Sequence, residues 1–503
     1  MGSLVRRISS EGSAGYGVNI LEVLPPGQIR SGGSVVVGIV GDFPWGPVNV
    51  LTEVNTAGEF FATFCPPAFN AAGTYAAMDA FLNKAFPAGM QICRIVPTSV
   101  AQATASKTYQ DNDPADSVTV TAKYPGALGN SISVAWAANA DDATARDATV
   151  TIGTTYSVTY PSVATMSGST LVVTDPGDPY VTFSKHASGD EVPAAASAVA
   201  LTGGADGTAV AGDYVGSSSS AVGIRLFYAD SVEPDVLFVA SCPSGLIASV
   251  NTGLEAYAAD TDKGVVVLST PASQSEATAK TYVADYRDDR IVYAYPRVKT
   301  TDFYDTTAPT ITVDPNSFMA ALIAATDPWL SPGGPRASRG PLAGITGLEN
   351  ASISTGGYDT LTDYGISAIA MFGGSAIVRG AVTTSLTSGL EKIRRRRTAD
   401  YLEKAIANRL QEYVETPFDG DLDAQSLGPN TAAEIGEINT FLGNEKFKGH
   451  IKDFTVDPWG AATAPDLAAG TWTIQIAVTT YSDQDQIILR FNVGDSVVTS
   501  SSS

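Results

Sequence analysis

The segment LEKIRRRRTADYLEKAIANRLQEYVE, residues 390–415, combines a helical apolar pattern with the highest density of positive charge that we identify in the sequence. Its apolar side chains recur at the spacing of one helix face, which predicts an α-helix that packs on a core. These side chains are Leu402, Ile406, Leu410 and Tyr413, widened by Tyr401, Ala405 and Val414.

Four consecutive arginines point in different directions around the first turns of this helix, so they cannot all be buried on one side. They are Arg394, Arg395, Arg396 and Arg397. Two interpretations remain open. The run is a solvated helix end with pairs such as Arg396–Asp400, or it is a surface for an acidic partner.

Two segments after the helix alternate with period 2 and predict a β-hairpin. TWTIQIAVTT (471–480) places Trp472, Ile474, Ile476 and Val478 on one face, and YSDQ (481–484) forms the turn. DQIILRFNV (485–493) repeats the pattern with Ile487, Leu489, Phe491 and Val493. A final strand-like run and a serine tail complete the chain.

The composition describes a folded, acidic protein. The 503 residues carry a net charge of −22, with 44% hydrophobic and 16% charged residues. This length predicts roughly two to four domains. The sequence pI of 4.4 argues against nucleic acid as the main ligand, because phosphate binding needs a broad basic footprint.

The sequence shows no clear feature that directs secretion or membrane insertion. Residues 1–17 carry charges but lack the apolar stretch of a signal peptide, so we expect a cytoplasmic product. The longest apolar run that we find, SVVVGIV (34–40), is too short to insert into a membrane. Cys65, Cys93 and Cys242 stand apart without metal-ligand spacing and are predicted to be reduced core residues.

The middle of the chain changes in character twice. Residues 100–215 contain short Val/Thr/Tyr strands split by Gly, Pro and Asp turns, which predicts a separate all-β domain. From residue 221, the apolar runs PDVLFVASCP (234–243), KGVVVLSTP (263–271) and DRIVYAYPRV (289–298) alternate with helical stretches. That alternation predicts a parallel α/β sheet.

The C-terminal pattern resembles the tail sheath proteins of contractile phage tails and related injection machines. The N-terminal part supports the resemblance through an ordered series of a glycine-bearing strand, a Gly-Pro step, a phenylalanine-containing helix and a strand ending in Arg-Ile-Val. These features lie at 17–22, 41–47, 59–64 and 94–96. The strand pair at 364–384 also matches, although the family's Trp-Gly-Ala-Arg-Thr is Val378, Arg379, Gly380, Ala381 and Val382 here.

The resemblance implies an α/β and α+β multidomain fold: an outer α/β domain with an all-β insertion, and an inner C-terminal α+β domain with exchanged terminal strands. The corresponding boundaries are an N-terminal arm at 1–17, the outer domain at 18–102 and 216–345, and the insertion at 103–215. The inner domain spans 346–493 and the C-terminal arm 494–503.

The same resemblance implies a structural subunit that polymerises around a tail tube and contracts to drive the tube through a target envelope. Its partners would be other copies of itself, the tube protein, and baseplate and tail terminator proteins, in a virion tail made in the bacterial host cytoplasm. The four arginines become candidates to face the tube. Candidate inter-subunit strand residues are Leu4, Val5, Arg6, Arg7 and Ile8, with Ser496, Val497, Val498 and Thr499.

Catalytic and cofactor signals are missing from the sequence. No glycine-rich phosphate loop follows the apolar strands, and neither His186 nor His450 has the neighbours of a catalytic triad. Asp419, Asp421 and Asp423 imitate a calcium loop, but Ala424 and Asn430 replace its glycine and glutamate, so we predict an acidic turn. We expect no enzyme, cofactor or metal. The alternative is a secreted or surface β-rich, adhesin-like binding protein with an α/β domain.

Overall fold

The computed structural model divides the chain into two compact units. The central unit is Ser34–Arg397, and the terminal unit combines Met1–Gly33 with Thr398–Ser503. The structure describes residues 6–7, 19–20, 35–69, 89–229, 232–261, 263–301, 310–334, 342, 344–350, 353, 355–387 and 389–482.

The described chain contains both strands and helices, with a long run of strands, uninterrupted by an α-helix, from residue 89 to residue 200. The strands are β1 Arg6–Arg7, β2 Asn19–Ile20, β3 Val36–Gly41, β4 Thr52–Val54, β5 Gly89–Arg94, β6 Ser106–Gln110, β7 Asp116–Ala122, β8 Ile132–Ala138, β9 Ala145–Ile152, β10 Tyr156–Ser167, β11 Thr170–Val173, β12 Val181–Lys185, β13 Ala196–Ala200, β14 Val236–Ala240, β15 Val265–Val267, β16 Ile291–Val292, β17 Ala294–Tyr295, β18 Val298–Thr300, β19 Ile311–Val313, β20 Ile345–Leu348, β21 Ser367–Phe372, β22 Ser375–Arg379, β23 Asp453–Asp457 and β24 Gln475–Thr479. The helices are α1 Ala57–Phe64, α2 Ala211–Val215, α3 Ile247–Thr261, α4 Glu276–Val283, α5 Asn316–Ala325, α6 Thr355–Asp363, α7 Ile393–Leu410, α8 Pro429–Phe447 and α9 Ala464–Ala468.

A six-stranded sheet forms the middle of the central unit, in the order β16-β15-β14-β3-β5-β4. All neighbours pair in parallel except β4, which runs antiparallel to β5. Every residue of β14 is buried, as expected of a strand covered on two faces. The parallel sheet predicted from the apolar runs at 234–298 is therefore confirmed.

Helices cover both faces of this sheet. Val37, Ile39 and Phe238 contribute to one apolar cluster, which includes α1 and the almost wholly buried α5. Leu237 and Val239 contribute to a second cluster with α3 and α4. The alternation of neighbouring residues between the two clusters follows from the period of 2 in a strand.

Two small sheets extend the central unit, in the orders β17-β21-β22 and β19-β18-β20. Strand β21 pairs in parallel with β17, and β22 pairs antiparallel with β21. Because Ile369, Val378 and Ile393 belong to the central apolar cluster, residues up to 397 belong to the compact central unit. The compact division thus falls at 397/398, whereas the sequence analysis placed a boundary at 345/346.

A β-sandwich occupies much of residues 106–200. One sheet has the order β11-β10-β9-β8-β13 and the other β12-β7-β6, and every pairing in them is antiparallel. Alternate residues point into the core between the sheets, where Val134, Trp136 and Val150 are buried.

The terminal unit contains α8, α9, the pair β23-β24 and the part of α7 from Thr398 onward. Its core contains Leu402 and Ile406 of α7 and Ile438 and Leu442 of α8, all buried. Strands β1 and β2 pair in parallel at Arg6↔Asn19 and Arg7↔Ile20. No helix in the described parts of the chain is long and apolar enough to cross a membrane.

Candidate assembly surfaces

The arginine run occupies the first turns of α7, and two of its side chains are buried inside the central unit. Arg397 is 5% exposed, and its Nη1 donates to the Thr326 carbonyl at 2.7 Å. Arg396 is 8% exposed, and its Nη1 lies 3.3 Å from Asp289 Oδ2. These contacts hold the start of α7 to the segment that follows α5 and to the segment before β16.

The other two arginines are half-buried. Arg395 Nη1 lies 2.9 Å from Glu391 Oε1, an i,i+4 ion pair, and Arg394 also makes contacts. Successive helix residues are rotated by about 100°, so the run divides between the inside and the outside. Of the four tube-facing candidates, Arg394 and Arg395 are the two that keep exposed surface.

The apolar stripe of α7 packs mostly as predicted. Leu402, Ala405 and Ile406 are buried against α8, and Leu410 is partly buried in the same cluster. The prediction was wrong for Val414, which lies beyond the end of α7 and is 64% exposed. The α7 helix ends at Leu410 because the chain turns into a 3₁₀ segment, Gln411–Tyr413.

A charged cluster fixes this turn to α8. Arg409 donates from Nε and Nη2 to the two Glu437 oxygens, at 2.6 and 2.9 Å. The Tyr413 hydroxyl donates to Glu437 Oε1 at 2.6 Å. A bidentate arginine–carboxylate pair holds geometry better than a single contact, so the exit from α7 is well defined.

The first strand of the predicted C-terminal hairpin is β24, and its apolar face contacts the terminal core. Trp472, Ile474, Ile476 and Val478 are partly buried there, and Trp472 Nε1 donates to the Pro458 carbonyl at 2.8 Å. Strand β24 pairs antiparallel with β23. The second predicted strand, with Ile487, Leu489, Phe491 and Val493, lies outside the described residues.

The predicted arm strands are described only in part. Arg6 and Arg7 form β1, whose backbone pairs with β2 of the same chain. Leu4, Val5 and Ile8 lie outside the described residues, as do Ser496, Val497, Val498 and Thr499. Their role between subunits stays a prediction.

The acidic segment that imitates a calcium loop is a turn, as predicted, and it also caps a helix. The Asp419 carboxylate accepts the backbone N–H groups of Asn430 and Thr431, at 2.8 and 3.0 Å, at the start of α8. These hydrogen bonds hold the pKa of Asp419 below its ordinary value. Asp421 pairs with Ser426 across the turn. Within the described chain, no three His, Cys, Asp or Glu residues are placed to hold a metal.

The two histidines have different surroundings. His186 Nδ1 lies 3.0 Å from the Ser188 hydroxyl, in an exposed turn. His450 Nδ1 lies 2.5 Å from Glu445 Oε2, and the side chains are 17% and 1% exposed, so this histidine is more enclosed than His186. Burial and the nearby Glu445 raise the pKa of Tyr401 to about 12.

Two carboxyl groups, the buried Asp314 and the half-buried Asp42, lie at the carboxyl edge of the parallel sheet. Asp314 is buried and accepts the backbone N–H groups of Thr270 and Asn316, and burial raises its pKa to about 7. Burial also raises the pKa of Asp42 to about 6, against the lowering effect of Arg94. The hydrogen bonds of Asp314 join the segment after β15 to the start of α5, which is a structural role.

Two aromatic side chains from outside the predicted insertion pack in the sandwich core. Trp45 is 1% exposed, and its ring centroid lies 4.7 Å from that of Phe69 and 5.5 Å from that of Tyr124. Both Trp45 and Phe69 precede residue 103 in the sequence. The sandwich core is therefore completed by the α/β part of the chain, which the sequence analysis missed.

A buried arginine joins the same two regions. Arg94, at the end of β5, is fully buried and donates to the carbonyls of Gly46 and Pro125, at 2.9 and 2.8 Å. Gly126 follows with φ +135°, and a Cβ there would lie 3.1 Å from the Pro44 carbonyl. This close approach fixes the entry into the sandwich.

The sequence analysis also missed a second basic segment, KFKGHIK (446–452), at the end of α8. Lys446, Phe447, Lys448 and Lys452 are all exposed there. The signal was visible in the sequence, because three lysines in seven residues follow a stretch from 411 to 445 without Lys, Arg or His. The arginine run is therefore not the one concentrated positive charge.

Known proteins match this architecture at two levels. Residues 99–206 match the family model described as the phage tail sheath protein β-sandwich domain. No curated protein has a sequence that matches the chain significantly.

Solved structures are similar over nearly the whole chain. The sheath tail protein of Desulfitobacterium hafniense is 14% identical with a TM-score of 0.61, covering 92% of this chain and 100% of that one. The sheath tail protein of Listeria innocua is 15% identical with a TM-score of 0.61, covering 90% and 96%. The helical sheath of the anti-feeding prophage in its contracted state is 14% identical with a TM-score of 0.55, covering 96% and 99%.

The solved structures show which fold the chain has. The family model identifies the β-sandwich domain within that fold. The chain therefore contains a sheath β-sandwich domain at 99–206 and has the fold of sheath tail proteins over most of its length.

Proposed function

We propose that the chain is the structural subunit of a contractile tail sheath. Copies polymerise around a tail tube, and contraction of the polymer drives the tube through a target envelope. The observation that carries this proposal is the sheath β-sandwich domain at 99–206, set in a chain whose fold matches a sheath in its contracted state. The adhesin-like alternative is not favoured, because the fold similarity extends over the α/β and terminal regions as well.

The energy for contraction is stored in assembly. An extended polymer formed under kinetic control relaxes to a contracted one of lower free energy when triggered. The absence of a glycine-rich phosphate loop in the sequence agrees with a device that needs no nucleotide. The role is accordingly structural and not catalytic.

The partners of the subunit are other copies of the chain, the tube protein, and the baseplate and tail terminator proteins. The particle is a phage tail or a related injection machine, and the chain is made in the cytoplasm of a bacterial host. The acidic sequence, with a pI of 4.4, supports a protein partner and not nucleic acid.

The terminal regions link neighbouring subunits. In this proposal residues 1–17 and 494–503 add strands to the sheet of a neighbour, because main-chain hydrogen bonds keep rings connected while they slide. Strands β23 and β24 form a two-stranded sheet within the described residues, which offers an edge to such a strand. The sandwich lies on the outside, and the C-terminal region faces the tube.

Arg394 and Arg395 contact the tube in this arrangement. Weak, salt-screened ion pairs suit a contact that must release during contraction. The burial of Arg396 and Arg397 supports an internal role for that half of the run. An Arg394→Glu variant should therefore assemble without the tube protein yet lose assembly on it.

Electron microscopy of the purified protein tests the proposed function. Concentrated protein is expected to form long hollow tubes without any added nucleotide. Monodisperse monomers at every concentration and salt tested would count against a sheath.

A further inference from the structure

Two surfaces lie at the two ends of α8 in the terminal unit. Each combines apolar side chains with charged ones, and the charges of the two surfaces are opposite in sign. The basic tip comprises Lys446, Phe447, Lys448 and Lys452. The acidic loop comprises residues 411–425, just before the helix. The 19 residues of α8, at about 1.5 Å of rise each, hold the two surfaces about 28 Å apart.

The basic tip presents an aromatic side chain to solvent. Phe447 is 93% exposed, the highest value of any large apolar side chain in the described chain. The side chains of Lys446 and Lys448 are about half exposed, at 49% and 51%. Lys446 Nζ lies 2.7 Å from Asp453 Oδ1, which brings the start of β23, and with it Lys452, next to the helix end.

The acidic loop has the complementary character. Glu412, Glu415, Asp421 and Asp423 are exposed, and no Lys, Arg or His occurs between 411 and 445. Val414 and Phe418 add apolar surface, at 64% and 41% exposure. The cap of Asp419 on the start of α8 fixes the loop at that end of the helix.

The helix dipole explains only part of this arrangement. It favours carboxylates near the start of α8 and lysines near its end. It gives no reason to expose Phe447, whose burial against a partner would remove a large apolar area from water. Aromatic side chains serve as anchors in protein interfaces, where a partner covers them.

The two surfaces cannot reach one another within one chain, because the length of α8 separates them. The surface at one end of the helix in one copy can instead contact the surface at the other end of the helix in the next copy. Such a heterologous contact propagates into rings or helices, whereas a two-fold contact stops at a dimer. In a chain of net charge −22, the surface of the next copy is mostly acidic, and Lys452 adds to the half-exposed Lys446 and Lys448, which also pair with Asp453 and Glu445 of their own chain.

We propose that the basic tip of one copy docks on the acidic loop of the next, with Phe447 against Val414 and Phe418. This docking rests on the proposed sheath function and names one of its subunit contacts. It is held by ion pairs around an apolar centre, so it has both a salt-dependent and a salt-independent part.

Charge reversal tests the docking. One variant reverses the tip (Lys446→Glu with Lys452→Glu) and another reverses the loop (Glu415→Lys with Asp423→Lys). Each alone should raise the concentration needed for polymerisation by about tenfold or more, because like charges then meet. An equal mixture of the two, and a single chain carrying all four changes, should polymerise again.

Matched controls separate this effect from general charge effects and from folding. Lys123→Glu with Lys185→Glu makes the same change in net charge as the tip reversal, at exposed positions of the sandwich, and should leave polymerisation unchanged. Circular dichroism should be the same for all variants. Phe447→Ser should weaken association at low and high salt alike, while the effect of the lysine changes should fade as salt rises.

Sedimentation velocity and electron microscopy, with and without tube protein, distinguish the outcomes. If the wild type polymerises and the tip-reversed variant does so equally well, the docking is wrong and the sheath function stands. If that variant fails only when tube protein is present, the tip binds the tube and not a second copy. A wild type that never associates contradicts both proposals.

Discussion

The sandwich and the terminal unit bury their strands to different extents. In the sandwich, β9 alternates between buried and half-buried residues, and the core is closed by Trp136 and by Trp45 from outside the domain. In the terminal unit, β23 and β24 alternate between half-buried and exposed residues, and neither contains a buried one. The sandwich is thus closed on a fully buried core, whereas β23 and β24 place one half-buried face on the terminal core and leave the other face exposed.

The difference suits a polymer whose inner contacts change while its outer parts keep their shape. A closed core resists rearrangement because dense packing leaves few alternatives. Half-buried strands and exposed apolar side chains can exchange one covering partner for another.

The largest expected effect is the loss of the tryptophan that closes the sandwich. Trp45→Ala removes a buried ring and should lower the free energy of unfolding by about 3–5 kcal/mol. Trp472→Ala, the matched change in the terminal unit, removes a half-buried ring and should cost about 1–2 kcal/mol. Chemical denaturation of monomeric protein measures both, and equal losses would remove the contrast between the two regions.

The arginine run should show a similar contrast within four residues. Arg397→Met removes the donor to the buried Thr326 carbonyl and should cost about 1–3 kcal/mol. Arg395→Met removes a half-exposed i,i+4 pair with Glu391 and should cost about 0.5 kcal/mol or less. If Arg395→Met proved the more destabilising in denaturant titrations, the division of the run into internal and external halves would be wrong.

Acid should act in opposite directions on two carboxyl groups. Burial raises the pKa of Asp42 from 3.8 to about 6, so the folded protein holds a proton that the unfolded chain has lost. The contribution of Asp42 to stability therefore falls as pH rises from about 4 to about 6. Asp42→Asn should remove that slope from a plot of unfolding free energy against pH.

Asp419 of the terminal unit should behave in the reverse sense. The backbone N–H groups at the start of α8 lower its pKa below 3.8, so its stabilising contribution is present above that value and lost as pH falls below it. Asp419→Asn should flatten the acid limb of the curve without changing the region between pH 4 and 6. A change confined to that middle region would contradict the assignment.

Sequence reasoning succeeded where one period dominates. The continuous apolar run at 234–243 predicted the buried strand β14, and the 3.6-residue stripe at Leu402 and Ile406 predicted the packed face of α7. The alternation at 471–480 predicted the apolar face of β24, because alternate side chains of a strand point to the same face of the sheet and the apolar set must face the core.

It failed where the outcome depends on contacts between distant segments. Nothing near Trp45 in the sequence shows that its ring enters a core built from residues after 105. The burial of Arg396 and Arg397 depends on Asp289 and Thr326, which lie 107 and 71 residues earlier in the chain. The basic tip was readable in the sequence, but the exposure of Phe447 that gives it meaning is a property of the fold.

A cryo-electron microscopy reconstruction of the assembled protein tests the central claim most directly. The account predicts a hollow polymer with the sandwich at 106–200 on the outer wall and the terminal unit lining the lumen. In that polymer, Phe447 of each copy should be buried against the acidic loop of the next. A polymer with the sandwich facing the lumen, or a protein that stays monomeric under every condition, would contradict it.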